Sequence, residues 1–453
     1  MKTVRSVLKP AIFAAALSCV LLPGCVSERQ YRTETRPAEY NANSTNVSRA
    51  MIEVASNYTV GYVEFDDQGW LYGDKDKSKR QQIDTVLDCF RDAGKSNGLL
   101  MVVFVHGWKH NAAGNDSYVQ MFHKILGEIA NTDHALSTNQ LDRPRKKVVG
   151  LYVGWRGLSA DIEPFEEMSF WDRKNTAEVV GHGAAIELLS RLEDLRNEIN
   201  LKFEDDVAHH KRTSTKLLIL GHSFGGDIVF SAVSPVLMER MVENHDGAGV
   251  AQSPKTLGDL VVLINPAFEA ARFEPLQQLA ATKNLPGNTN CNLAVFTSTA
   301  DWATGLAFPI GRRISTLFET YVDKQQAKAN VIAVGHYAPY ISYNLKPRGK
   351  NPEPQTTAAR ADDTSPQGSA MNILSLKEQV LRVSRMTNAS AGDATYNFPR
   401  CQLAATNHWV HNDPIFNVAV DPAIIPDHDT IDRDIFIHFL VQFLFVFSSG
   451  GEK

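Results

Sequence analysis

The chain lacks several features that would place it in a familiar class. Its 453 residues include 46 Lys and Arg against 51 Asp and Glu, so no basic excess indicates nucleic-acid binding. Neither a C-x-x-C nor an H-E-x-x-H motif occurs, and we therefore expect no metal site. No internal repeat is evident. The two most apolar segments, 11–22 and 435–447, are both too short to cross a bilayer as helices.

A Gly-x-Ser-x-Gly run at residues 221–225 is the most informative motif that is present. An apolar run at 217–220 precedes it, and a helix-like apolar pattern follows over 228–237. A strand, a tight turn and a helix form the context of a nucleophile elbow, in which glycines relieve crowding and the serine is exposed. We predict that Ser223 is a nucleophile. The alternative is a surface serine in a glycine-rich turn.

A second strand-and-turn pattern lies upstream. Residues 99–105 are all apolar and partly β-branched, which predicts a buried strand. His106, Gly107 and Trp108 follow it directly. The position of His106 favours a structural residue that hydrogen-bonds the loop over a proton carrier. Further along the chain strand patterns alternate with helix patterns, which predicts an α/β fold with a mostly parallel sheet and helices on both faces.

The F-V-H-G-W-K-H-N-A and L-G-H-S-F-G-G stretches resemble the α/β-hydrolase superfamily, particularly its serine esterases and lipases. The resemblance covers most of residues 59–448 and implies the α/β-hydrolase fold. In that fold two backbone N–H groups bind the oxyanion that forms during acyl transfer. By position, these groups belong to Phe224, which follows the nucleophile, and to Trp108 in the upstream loop.

The resemblance also implies that an acid and then a histidine follow the serine along the chain. Asp301 comes directly after the apolar strand pattern at 293–296, and we take it as the acid. Glu269, after the preceding strand, is the alternative. A helix N-cap is the structural interpretation of Asp301.

The general base is predicted to be His428, in a polar loop that precedes the last apolar helix. His336 is the alternative, although its apolar neighbours favour a wall or strand position. Asp427 and Asp429 flank His428 and would favour its charged form, or compete with Asp301 for the ring.

These residues predict a serine hydrolase that cleaves carboxylic esters of small molecules or lipids through an acyl-enzyme, with no cofactor. Two alternatives stay open: a hydrolase-fold protein that acts as a binding or assembly module without turnover, and an acyltransferase. Five aromatic side chains either line an acyl pocket or belong to the core and rim: Trp108, Trp155, Phe165, Phe170 and Trp171.

The N-terminal sequence predicts a membrane anchor. A basic segment at 2–9 and the apolar run at 11–22 lead to Leu-Pro-Gly-Cys, which resembles the lipobox of bacterial lipoproteins. We therefore expect a signal peptide at 1–24 and a lipid on Cys25; an ordinary signal peptide with an incidental cysteine is the alternative. Val26 follows, which resembles an outer-membrane destination in a Gram-negative cell envelope, with the domain facing the periplasm.

The remaining segments complete the predicted organisation. The lipidated cysteine and a flexible, polar tether occupy 25–50, and the hydrolase domain occupies 51–448. Residues 345–371 are predicted to be a disordered insertion, and 435–447 the last core helix. One long helix is expected near 176–199. In an oxidising compartment Cys291 and Cys401 form the expected disulfide.

Overall fold

A computed structural model describes residues 29–42, 47–72, 81–139, 144–157, 165–204, 214–243, 257–282, 291–348, 364–386 and 388–448. The predicted signal peptide and Cys25 lie outside these residues. None of the helices in the described ranges combines the length and the apolar character that crossing a bilayer requires.

Twelve strands occur in the described residues. They are β1 (Ala38–Glu39), β2 (Ile52–Val54), β3 (Tyr58–Glu64), β4 (Leu99–Val105), β5 (Lys147–Gly154), β6 (Lys216–His222), β7 (Leu260–Ile264), β8 (Leu293–Ser298), β9 (Tyr343–Pro347), β10 (Thr395–Asn397), β11 (Cys401–Ala405) and β12 (Ile415–Val420). All of them join one sheet in the order β1-β2-β3-β5-β4-β6-β7-β8-β12-β9-β11-β10.

Helices connect most of these strands. The α-helices of the described residues are α1 (Gln81–Ala93), α2 (Ser117–Asn139), α3 (Phe165–His182), α4 (Ala184–Glu204), α5 (Phe224–Glu243), α6 (Ala270–Thr282), α7 (Phe308–Ser315), α8 (Lys324–Val331), α9 (Pro366–Arg385) and α10 (Asp434–Phe447). A short π-helix, Ala303–Ala307, leads into α7.

The sheet is parallel from β3 across to β9, and antiparallel pairs occur only toward its two ends within the described part of the chain. Both faces of its centre are covered, so β4 and β7 are apolar along their whole length, and every residue of both strands is buried. The predicted α/β class with a mostly parallel sheet is confirmed.

Two apolar cores lie on the two faces of the sheet. One core contains side chains from α2, α9 and α10, and the other contains side chains from α1, α3, α4, α5 and α6. The apolar segment near the C-terminus is helix α10, and its side chains from Phe439 to Phe447 are buried, as expected for a last core helix.

The prediction of a flexible tether at 25–50 is wrong for the part that the structure describes. Arg32 is completely buried, and its guanidinium pairs with Glu53 at 2.8 Å and lies over the ring of Tyr62. The Arg32 backbone N–H also donates to Glu64 of β3 at 2.8 Å. A buried ion pair and strand β1 therefore hold this segment against the domain.

Two further predictions need correction. Both ends of the predicted disordered insertion at 345–371 are ordered, because β9 extends to Pro347 and α9 begins at Pro366; residues 349–363 lie outside the described ranges. The single long helix expected near 176–199 is two helices, α3 and α4. They meet at Gly183, where an added Cβ would lie 3.0 Å from the carbonyl oxygen of Val179.

The predicted disulfide is absent: Cys291 and Cys401 are both buried free thiols. Cys291 lies just before β8 and Cys401 begins β11, and strands β12 and β9 run between them in the sheet. Three strand spacings separate such positions by about 14 Å, too far for a disulfide. The sequence shows that both cysteines lie near predicted strands. It does not show how far apart they are, because that distance depends on the order of the strands in the sheet.

Candidate active site

Ser223 lies in the turn between β6, which ends at His222, and α5, which begins at Phe224. Its backbone adopts the left-handed region, with φ at 55°. A residue with a Cβ rarely adopts this conformation, and it turns the side chain out of the sheet at the end of the strand. The turn is held by a hydrogen bond from the Ser223 N–H to the carbonyl oxygen of Ile264, at 3.0 Å.

Glycines allow the turn to lie against the upstream loop. A Cβ on Gly225 would lie 2.1 Å from the carbonyl oxygen of Val105, and one on Gly107 would lie 2.7 Å from the Cβ of Ser223. Both distances are too short for any side chain. The two motifs that the sequence singled out are therefore in direct contact, and each requires the glycine of the other region.

His106 fixes the upstream loop. Its ring is fully buried; Nδ1 donates to the carbonyl oxygen of Gly107 at 2.8 Å, and Nε2 accepts the backbone N–H of Trp155 at 3.1 Å. Burial lowers the pKa of His106 to about 4, so the imidazole is neutral near neutral pH. The structural role expected for His106 is confirmed.

His428 and Asp301 complete an arrangement around the serine. The Nε2 atom of His428 lies 2.7 Å from the Oγ of Ser223, and its Nδ1 atom lies 2.8 Å from Oδ2 of Asp301. All three residues are buried. The structure thus brings together the residues chosen from the sequence as nucleophile, base and acid, in the relative positions that proton transfer from a serine hydroxyl requires.

Thr304 orients the carboxylate of Asp301. The Thr304 backbone N–H donates to Oδ1 of Asp301 at 3.1 Å, and the Thr304 hydroxyl donates to Oδ2. These contacts exist because the π-helix Ala303–Ala307 begins two residues after Asp301, which brings Thr304 back to its carboxylate. The N-cap residue of this helix is Trp302, so Asp301 is not the N-cap that its alternative interpretation expected, although its carboxylate accepts an N–H of the first turn.

The charges of His428 and Asp301 stabilise each other. Burial alone would lower the pKa of His428, but the negative charge and hydrogen bond of Asp301, with smaller contributions from Asp429 and Asp427, raise it above the usual 6.5. Burial would raise the pKa of Asp301, and the positive charge of His428 with the Thr304 bonds lowers it below 3.8. Asp301 is therefore ionised and its attraction for the imidazolium favours proton uptake by His428.

Three residues that the sequence analysis did not single out hold the loop that carries His428. The carbonyl oxygen of His428 accepts from Nε2 of His222 at 2.9 Å and from Nδ2 of Asn265 at 2.8 Å. The hydroxyl of Tyr118 donates to the carbonyl oxygen of Asp429 at 3.0 Å. Asn265 directly follows β7, and a polar residue at that strand end was the signal available in the sequence.

The alternative residues have other partners. Glu269 is buried and pairs with Lys174 at 3.1 Å and with Arg312 at 2.9 Å. His336 lies behind the acid: its Nε2 is 2.9 Å from the Thr304 hydroxyl oxygen, and it donates there because that hydroxyl gives its only hydrogen to Asp301. Neither alternative takes the place of the residue preferred in the sequence.

The two aspartates that flank His428 differ in their roles. The carboxylate of Asp427 accepts the backbone N–H groups of Asp429 and Thr430, at 3.0 and 2.7 Å, and so shapes its own turn. Asp429 is exposed. The Nδ1 atom of the ring bonds Asp301, so the competition considered from the sequence is decided in favour of Asp301.

The residues predicted to supply the oxyanion donors belong to two segments that meet at the serine. Phe224 is the first residue of α5, and the first N–H groups of a helix have no intrahelical acceptor. Trp108 follows Gly107, the residue whose Cα faces the Cβ of Ser223. Both residues are thus placed next to the nucleophile, and helix α5 directs the positive end of its dipole toward it.

A group of contacting aromatic rings includes Trp108 and Phe224, the residue that follows the serine. The ring of Phe170 contacts those of Trp108, Phe224 and Trp171, with centroid distances of 5.4, 4.7 and 5.2 Å. Trp171 in turn contacts Phe308 of α7 at 5.9 Å. Of the other two predicted pocket residues, Trp155 is buried against His106, which is a core position. The side chain of Phe165 is outside the described residues.

One group of side chains in the described ranges has the spacing of a metal site. Ligand atoms of His222, His428 and Asp429 lie within 4.8 Å of one another. Both ring nitrogens of His428 are already bonded to Ser223 and Asp301, and Nε2 of His222 donates to a carbonyl oxygen. The donor set therefore fits the serine arrangement better than a cation.

Comparisons with known proteins add little. No protein-family model matches the chain, and no curated protein matches it. Among solved structures, phospholipase PlaB from Legionella pneumophila in complex with thio-NAD is 16% identical with a TM-score of 0.19; the match covers 56% of this chain and 47% of that one. The chain thus spans about half the length of that structure, and a TM-score this low carries no argument about fold or activity.

Proposed function

We propose that the chain is a serine hydrolase of the α/β-hydrolase type that cleaves carboxylic esters. The observation that supports this most directly is the hydrogen-bonded series from Ser223 through His428 to Asp301, with distances of 2.7 and 2.8 Å. It rests on a strained turn in which the serine adopts a φ of 55°. Strain of this kind persists where surrounding structure holds it and is concentrated at functional sites.

In the proposed reaction, neutral His428 takes the proton of the Ser223 hydroxyl while Oγ forms a bond to the ester carbonyl carbon. The negative charge that develops on the carbonyl oxygen is bound by the N–H groups of Phe224 and Trp108; removing one such donor costs about 2.7–4 kcal/mol of transition-state stabilisation. His428 then gives its proton to the leaving alcohol. Water, deprotonated by the same ring, releases the carboxylic acid and regenerates Ser223.

Fluorophosphonate labelling and turnover of p-nitrophenyl butyrate test this proposal. Wild-type protein should be labelled and active, and Ser223→Ala should lose both, since loss of a nucleophile costs on the order of 10⁶ in kcat. Ser384→Ala is the matched control, because Ser384 is a partly exposed serine of α9 whose hydroxyl donates to the carbonyl oxygen of Leu381 in the same helix, at 3.0 Å. Labelling that survives Ser223→Ala would reject the proposed nucleophile.

Two outcomes would favour the other functions. A wild-type protein that neither reacts with fluorophosphonate nor turns over esters would favour a binding or assembly module. Faster product release when acceptor alcohols are added, with formation of a new ester, would favour an acyltransferase. Both alternatives share the same fold, so only chemistry separates them from a hydrolase.

For the N-terminus we propose a lipid on Cys25 that anchors the domain in the cell envelope, facing the periplasm from the outer membrane in a Gram-negative cell. The support is the Leu-Pro-Gly-Cys sequence after the apolar run at 11–22. Palmitate labelling in cells should be lost in Cys25→Ser and kept in Cys89→Ser. Labelling that persists in Cys25→Ser would contradict the anchor.

A further inference from the structure

An exposed apolar surface begins directly after the proposed catalytic acid. Six large side chains with exposed fractions between 51% and 99% follow Asp301 at spacings near four residues and form what we call the apolar stripe: Trp302, Leu306, Ile310, Ile314, Leu317 and Phe318. A spacing of four places residues on the same face of a helix. Exposed apolar surface of this extent marks an interaction site more often than an ordinary protein surface.

The opposite face of the same segment is well packed. Phe308 is completely buried, and an added Cβ on Gly311 would overlap the ring of Trp171. Arg312 is held by Glu269 at 2.9 Å and by the carbonyl oxygen of Asn330 at 3.2 Å. Helix α7 is therefore fixed to the domain by its inner side, and Ile310 and Ile314 lie on the side that it presents outward. Of the other stripe residues, Trp302 and Leu306 precede this helix, and Leu317 and Phe318 lie in the turn that follows it.

Aromatic contacts connect the inner side of α7 to the residue that follows the proposed nucleophile. Phe308, on the inner side of α7, contacts Trp171, which contacts Phe170, and Phe170 contacts Phe224. Phe224 is the residue that follows Ser223. At the other end, Trp302 is adjacent in the chain to Asp301. A layer that covers the stripe would thus lie beside the proposed site, with apolar rings between the two.

The charge of this region differs in sign from that of the chain. Residues 302–330 contain four basic and two acidic side chains, whereas the whole chain has a net charge of −5. Arg313, Lys324 and Lys328 are all exposed. Apolar side chains on one face with Trp and Phe among them, and basic side chains beside them, characterise helices that lie in the interface of anionic membranes.

We propose that the apolar stripe docks into the surface of an anionic lipid bilayer and that the proposed hydrolase takes lipid esters from it. The proposal rests on the proposed function and narrows its substrate class to acyl esters with long apolar chains. The exposed cations Arg313, Lys324 and Lys328 attract anionic headgroups. In a two-fold contact with a second copy the same patch would face itself, and these cations would repel their counterparts, so an anionic lipid surface is the occupant that the charge favours.

Vesicle co-sedimentation tests the docking without turnover. All proteins carry Cys25→Ser, so that a lipid on that residue cannot contribute and every variant has the same N-terminus. Leu317→Ser with Phe318→Ser should lower partitioning into mixed phosphatidylcholine and phosphatidylglycerol vesicles about tenfold or more, because two exposed apolar side chains are removed from the contact.

The matched control is Leu201→Ser with Trp70→Ser, a leucine and an aromatic residue that are 61% and 62% exposed elsewhere on the surface. This pair should partition like the parent protein. Arg313→Glu with Lys324→Glu should weaken binding to the mixed vesicles, and raising the salt concentration should do the same. Melting temperatures of all variants establish that they are folded.

Three results would overturn the proposal. The first is that the parent protein does not bind vesicles, and the second is that the stripe variant and the control variant lose vesicle binding equally. The third is that the parent protein does not bind lipid but forms a dimer in sedimentation velocity, which the stripe variant dissociates. Ser223→Ala should bind vesicles like the parent, and p-nitrophenyl butyrate turnover by the parent protein reports on the proposed function alone. Failure of docking and failure of hydrolysis are thereby distinguished.

Discussion

The turn that carries Ser223 and the loop that carries His428 meet at one point but are built differently. The turn is formed by close backbone contacts between 105–107 and 221–226, where glycines leave no room for side chains. The loop at 427–430 is held by side chains from distant parts of the chain, Tyr118, His222 and Asn265. One region is encoded by short motifs, and the other by long-range hydrogen bonds.

The two regions are sensitive to different kinds of substitution. The serine turn tolerates no added atom at its glycines, so its failure is steric. The histidine loop has polar anchors that can be removed one at a time, so its failure is graded. The site needs both the serine turn and the histidine loop in place, because the Ser223 Oγ and the His428 Nε2 must remain near 2.7 Å apart for proton transfer.

The largest effect should come from the functional atoms themselves. His428→Ala should lower kcat on the order of 10⁶, because Ser223 then has no base. His336→Ala, the control at the rival histidine, should retain most of kcat and lower the melting temperature, since it removes only the bond to Thr304. If His336→Ala folds normally but is inactive while His428→Ala is active, the two assignments must be exchanged.

One added methyl group should disrupt the turn that carries Ser223. Gly225→Ala places a Cβ 2.1 Å from the carbonyl oxygen of Val105. The backbone must shift, which should cost about 1–3 kcal/mol of unfolding free energy and, by separating the two oxyanion donors, about 10²–10³ in kcat. Chemical denaturation and kinetics measure the two effects. Gly127→Ala is the control, because its Cβ would meet only an ordinary contact at 3.7 Å; equal losses in both variants would argue against the steric account.

The polar region should weaken by degrees. Asn265→Ala removes the donor to the His428 carbonyl and the acceptor of the Ser298 N–H at 2.9 Å, at a φ of 44° that Asn tolerates better than Ala. We expect about a hundredfold loss in kcat/KM through misplacement of the ring. Asn397→Ala, at the edge strand β10, should have no kinetic effect. Unchanged kinetics in Asn265→Ala would show that the other two anchors suffice.

The smallest effect concerns charge around the loop. His428 must be neutral to accept a proton, and Asp301 with Asp429 and Asp427 raises its pKa, so the rising limb of kcat/KM with pH should have its midpoint above 6.5. Asp429→Asn removes one of the smaller causes and should move the midpoint to lower pH with little change in the plateau. A midpoint below 6.5 in the wild-type protein would contradict this assignment of the base.

Much of the fold was readable from the sequence because its signals are local. Apolar strands such as 99–105 and the helix at the C-terminus need only a run of residues with the right pattern, and both occur where predicted. Segments with polar composition were misjudged. The region around Arg32 looked like a tether because its partners, Glu53 and Tyr62, make contact only in the folded chain.

The sequence by itself predicts the glycine turn around Ser223, the strand before it and the place of Asp301 after a strand. These features are local, because steric limits and hydrophobic periodicity act over a few residues. Tertiary structure decided the rest. It placed two strands between Cys291 and Cys401, brought Asn265 to the carbonyl oxygen of His428, and put His336 behind the acid. These outcomes depend on strand order and on chain crossings, and contacts between residues far apart in sequence leave no local pattern from which they can be read.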